Sequence, residues 1–140
     1  MAYGRFVVNI PLLLAGVMSF AAAAFHGIAG DALIVRRLDV ARLPRTRFGG
    51  PAASKQMIRV TWHLLTATFV VLGAAMVVCG FNDSHVACRR TGILGASAFT
   101  AFAVITIASG VARSGPAGAF RHPAPAGFIV IAGLAWWGAL

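Results

Sequence analysis

The chain has 140 residues, of which 59% are apolar and 11% charged, with twelve Lys and Arg against three acids, all Asp. A soluble domain carries about a quarter charged residues, and a mean hydropathy of +0.85 leaves too little polar surface to coat a globule in water. This excludes a soluble enzyme and a disordered tail and points to an all-α integral membrane protein. The net charge of +9 then reads as a mark of cytoplasmic loops, not of nucleic-acid binding.

The first apolar stretch covers about 6–35, interrupted by Asn9, Pro11, Ser19, His26 and Asp31. Pro11 falls in the first turns, where its missing N–H is tolerated. The basic start and the run Ala21-Ala22-Ala23-Ala24 also resemble a signal peptide; the reading adopted is an uncleaved first helix. Small residues recur every fourth position as Ala15, Ser19, Ala23, Gly27 and Asp31, beside Met18, Ala22, His26 and Gly30. In lipid, such a stripe marks the face where helices approach closely.

The segment 36–56 is basic, with Arg36, Arg37, Arg42, Arg45, Arg47 and Lys55 against Asp39, and Arg59 follows it. It is expected to lie on anionic lipid head groups or to dock onto a partner. Phe48-Gly49-Gly50-Pro51 breaks it as a turn, and Ser54 is placed to cap the next helix. That second span is expected over about 57–80, with Gly73 and Ala74 as small contact residues. Phe81 to Arg90 forms the second loop, and the third span covers about 91–112, with Gly92, Ala96 and Thr100 on one face. A Gly- and Pro-rich loop carrying Arg113, Arg121 and His122 precedes a fourth span over about 125–140. The first three spans exceed the ~20 residues needed for a ~30 Å hydrocarbon core. The fourth gives only roughly 24 Å of helix. Short connections make neighbours antiparallel, so the expected architecture is one transmembrane domain, an up-down four-helix bundle.

Orientation follows from charge. The first and third loops hold nine Lys and Arg, while the N-terminus, second loop and C-terminus hold Arg5, Arg89 and Arg90. The positive-inside rule puts the basic loops in the cytoplasm and both termini on the outer face of a bacterial-type inner membrane. Trp136, Trp137 and Tyr3 then fall at the outer interface and Trp62 at the inner one.

Candidate sites cluster in the first two spans. His26 and His63 lie at similar depth on adjacent antiparallel helices, roughly 9–14 Å from the cytoplasmic interface. Two imidazoles suit the axial ligation of a b-type haem, with Gly27 and Gly30 clearing space for a ring, or half of a metal site. The plainer reading is hydrogen bonding to backbone or to Thr61, Thr66 or Thr68. Asp31 is the one acid inside a span, expected to pair with Arg59 or Arg36, or else to serve proton or ion handling with the histidines. Cys79, His85 and Cys88 flank the second loop. They read as a Cys79–Cys88 disulfide, as two thiols, or as a soft-metal site with Met76 a turn below. The chain shows no nucleophile–base order, phosphate-binding glycine pattern or nucleic-acid motif. The functional expectation is a non-catalytic accessory or structural subunit of a larger membrane complex, alongside other membrane subunits. The alternatives are a haem- or metal-binding membrane protein and a small oligomeric ion or solute transporter.

Overall fold

The computed structural model describes residues 8–47, 49–81 and 85–140, and of His85 the backbone only. Among these residues the regular structure is helical, with no strand and one isolated β-bridge between Thr46 and Gly49. Helix α1 covers Ile10–Ala24 and runs on as a π-helix over Phe25–Val35. Helix α2 covers Pro51–Gly80, α3 His85–Ser114 and α4 Ala124–Ala139, with single 3₁₀ turns at Val40–Arg42 and Pro116–Gly118. Three stretches, Ile10–Val35, Pro51–Gly80 and Val86–Ser114, are long and apolar enough to cross a membrane, and α4 is a shorter apolar helix.

Helix ends differ from the hydropathy windows for identifiable reasons. Helix α1 starts at Ile10 because Asn9 caps it, the Leu12 N–H donating to Asn9 Oδ1 at 3.1 Å; Phe6, where the apolar stretch begins, lies outside the described residues. Helix α2 starts at Pro51, ahead of Met57, since Pro is favoured in a first turn and Lys55 and Gln56 extend the helix past its apolar part. Ser54 therefore does not cap it. Its hydroxyl, already inside the helix, donates to Pro44 O at 2.8 Å and ties the basic segment back. Helix α3 likewise starts at His85, where a polar turn with Arg89 and Arg90 precedes the apolar run. It ends at Gly115, whose φ of 66° lies in the left-handed region that stops a helix cheaply.

The chain forms two compact units, one of the segments up to Ser19 and Leu72–Leu140, the other Phe20–Val71. In the first, α1 meets the second half of α2 at bare backbone: a Cβ on Gly16 would lie 2.7 Å from Gly73 O. Leu13 packs at Gly80, so the two run antiparallel. Met76 of α2 fills the space left by Gly95 of α3. Helices α3 and α4 meet through Phe99, Phe102 and Phe128 and through the Trp136 indole, which donates to Thr100 Oγ1 at 3.2 Å. Asn9 Nδ2 donates to Gly138 O at 2.7 Å, joining α4 to the start of α1. The core is made of Leu12, Ala15, Ser19, Met76, Ala96, Phe99 and Ile131. Ala15, Ser19, Ala23 and Asp31 are all buried, so the small-residue stripe of the first span is its packed face.

In the second unit the π-segment packs on the first half of α2. Thr66 occupies the space at Gly27 and Trp62 the space at Gly30, where a Cβ would fall 2.7 Å and 2.5 Å from their side chains. The space at these two glycines, expected to clear room for a cofactor ring, is filled by the chain's own Thr66 and Trp62.

Candidate functional site

Asp31 sits in the π-segment with only 3% of its surface exposed. A buried carboxylate is costly unless paired and hydrogen-bonded. The π-helix supplies the first partner. Its i→i+5 repeat brings residue 36 back over residue 31: the Arg36 N–H donates to Asp31 O at 2.9 Å, and Arg36 Nε to Asp31 Oδ2 at 2.7 Å. Helix α2 supplies the others. Arg59 and His63 share one face at i, i+4 and place Arg59 Nε and His63 Nε2 each 3.6 Å from Asp31 Oδ1. Both expected arginines thus converge on Asp31, with Arg36 the closer. Oδ1 itself is buried and makes no hydrogen bond among the described residues. On their open side Arg59 and His63 line a groove of about 540 Å³ with Gln56, Val60 and Leu64.

His26 lies in the same unit but on different partners. Its ring stacks on the Trp62 indole with centroids 4.2 Å apart and planes inclined by 11°. Phe69 meets it edge-on at 5.6 Å. Thr66 donates its hydroxyl to Trp62 O at 3.2 Å, which leaves its oxygen to accept from His26 Nδ1 at 3.0 Å. Trp62 Nε1 in turn donates to His26 O at 2.8 Å. His26 is therefore held in an aromatic stack, while His63 faces Asp31 with 46% of its side chain exposed. Among the described residues no three His, Cys, Asp or Glu side chains gather in a metal-holding arrangement.

Trp62 is the residue that sequence reasoning undervalued. It reads there as an interfacial aromatic, whereas it covers His26 and fills the notch at Gly30. The signal lay in the pairing of Gly27 and Gly30 with Thr66 and Trp62. Both pairs step by about one turn on helices that the equal depth of His26 and His63 already put in register.

The basic segment is partly spent on structure. Lys55 Nζ donates to Arg36 O at 3.1 Å and to Leu38 O at 2.8 Å, closing the end of the π-segment. Asp39 accepts from the Ala41 N–H at 3.0 Å and lies 3.4 Å from Arg42. Arg37, Arg45 and Arg47 stand exposed. In the other unit Cys79, half-buried, and Cys88, buried, are thiols, not a disulfide. The side chain of His85, the third candidate ligand there, lies outside the described residues. Met76 is fully buried against α3.

No protein-family model matches this chain, and neither a curated protein nor a solved structure does.

Proposed function

We propose that the protein is a polytopic membrane protein of a bacterial-type cytoplasmic membrane, an up-down four-helix bundle with both termini on the outer face. In this reading it works as a non-catalytic accessory or structural subunit of a larger membrane complex. The observation that carries the reading is the contrast between closed polar groups and open apolar faces. Asp31 Oδ2 is tied by Arg36, and the half-buried His26 by Trp62 and Thr66, so these two polar groups of the first span serve packing. By contrast, Leu64, Val71, Val78, Leu94, Ile105 and Trp137 stand more than half exposed on the spans. In lipid such faces receive acyl chains or neighbouring helices. Arg37, Arg42, Arg45 and Arg47 would rest on anionic head groups at about 1 kcal/mol each.

Native electrophoresis of membranes solubilised in mild detergent tests this. The subunit reading expects migration in a larger species containing other polypeptides. Migration as the isolated chain contradicts it. A second reading, proton or ion handling, is favoured by Oδ1 of Asp31, buried without a hydrogen bond between Arg59 and His63. Proteoliposome flux abolished by Asp31→Asn would establish it. The same preparation tests the haem reading: a Soret band lost in His26→Ala would carry it.

A further inference from the structure

We propose that the groove at the α3–α4 turn is a binding site for the phosphate head group of an anionic phospholipid. The inference rests on the membrane reading above and concerns residues that reading leaves unused.

The groove has a volume of about 570 Å³ and lies between the end of α3, the turn Pro116–Gly118 and the start of α4. Arg113, Arg121 and His122 line it. Neither arginine side chain makes an ion pair or a hydrogen bond among the described residues, and this unit holds no described Asp or Glu. Two guanidinium groups sharing one groove repel each other unless an anion lies between them. A guanidinium presents its donors as a planar fork that matches phosphate oxygens. His122 adds a third donor. Its Nδ1 accepts from the Ala124 N–H at 3.1 Å, which leaves the ring proton on Nε2. The hydroxyls of Thr106 and Ser109 are committed to Phe102 O and Ile105 O, so cationic side chains supply the recognition.

Depth selects the occupant. Arg113 lies in the last turn of α3, where the span Val86–Ser114 ends. That is the level of lipid phosphates rather than of bulk solutes. Phe120, 61% exposed beside Arg121, offers an apolar ring at the same boundary. The wall formed by Ala119, Ala124 and Pro125 is apolar, as the glycerol and upper acyl region requires. On the charge asymmetry of the chain this end faces the cytoplasmic leaflet, which carries the anionic lipids.

The test uses the full chain purified in an uncharged detergent, with bound lipid counted by native mass spectrometry. The probes are phosphatidylglycerol and phosphatidylcholine. The wild-type chain should retain phosphatidylglycerol about tenfold over phosphatidylcholine, a preference of about 1.4 kcal/mol. Arg113→Gln with Arg121→Gln should reduce the preference below about threefold by the same scale. Arg42→Gln with Arg45→Gln removes equal charge from the segment 36–56 and should leave it intact. Arg121→Glu, which reverses one charge at an exposed position, should abolish retention with the helical circular dichroism unchanged. Equal loss in the groove and loop variants overturns the site in favour of diffuse surface charge. Displacement of the lipid by millimolar inorganic phosphate overturns it in favour of a soluble anion. Carbonate extraction of the membranes from which the chain is purified separates the two levels. A carbonate-resistant chain that retains no phosphatidylglycerol refutes the lipid site alone, while a carbonate-soluble chain refutes the membrane reading and the site with it.

Discussion

Gly30→Ala is the sharpest test of the packing that holds the π-segment to α2. A Cβ at Gly30 would lie 2.5 Å from Trp62 Cζ2 and 3.2 Å from Cε2. Carbon atoms rest at about 3.5–4.0 Å, so the indole edge must withdraw by roughly 1 Å. That withdrawal strikes both other functions of the ring, the 4.2 Å stack on His26 and the 2.8 Å hydrogen bond to His26 O. Overpacking of this kind costs ~1–3 kcal/mol, and the weakened hydrogen bond adds ~0.5–1.5 kcal/mol. Replacing Gly by Ala within a helix returns ~0.5–1 kcal/mol. The net expectation is a destabilisation of about 2 kcal/mol, centred within those three ranges. Gly133→Ala is the matched control, since nothing lies within 4 Å of its added Cβ; it should be neutral or gain ~0.5 kcal/mol. Unfolding of the purified chain in mild detergent, titrated with a denaturing detergent and followed by circular dichroism and Trp fluorescence, reads both. In Gly30→Ala/Trp62→Phe the two effects should be less than additive, because one ring carries both. A Gly30→Ala chain as stable as wild type, or equal losses in the two Gly→Ala variants, would refute the reasoning.

Other outcomes follow from the same contacts. Because Asp31 is the buried partner while Arg36 and Arg59 are more than half exposed, Arg36→Gln with Arg59→Gln should destabilise more than Asp31→Asn in the same titration. The arginines can turn to water or head groups, whereas the carboxylate is left stranded. Asn9→Ala removes both the α1 cap and the bond to Gly138 O. A loss of ~1–2 kcal/mol is expected, with amide exchange rising at both ends of the α1–α4 contact. Mild oxidation should join Cys79 and Cys88, two thiols at the facing ends of α2 and α3. Maleimide labelling of both should fall together, and labelling unchanged by oxidant would contradict their proximity.

The apolar helices and the packed face of the first span were legible because both rest on composition and spacing. Four-residue recurrence of Ala15, Ser19 and Ala23 marks the face that lies buried. Asp31 and its arginines were legible because an acid inside a span needs a cation. The π-helix was not, since no residue type in Phe25–Val35 marks a change from an i→i+4 to an i→i+5 repeat. It alters the site nonetheless, by turning Arg36 back onto Asp31. Helix starts were misplaced for a general reason: hydropathy finds the part of a helix suited to lipid, and polar turns such as Lys55-Gln56 and Arg89-Arg90 extend it further. Ser54 shows the limit of cap rules, since its backbone is already helical and its hydroxyl serves Pro44 O.

The most direct test of the central claim, a chain whose helices cross the membrane with segment 36–56 inside, is cysteine labelling of intact cells with a membrane-impermeant maleimide. In a chain carrying Cys79→Ser and Cys88→Ser, single cysteines are introduced as Val86→Cys and Arg45→Cys, both at exposed positions. The account predicts labelling of Val86→Cys in intact cells and of Arg45→Cys only after permeabilisation. Labelling of Arg45→Cys in intact cells would contradict it.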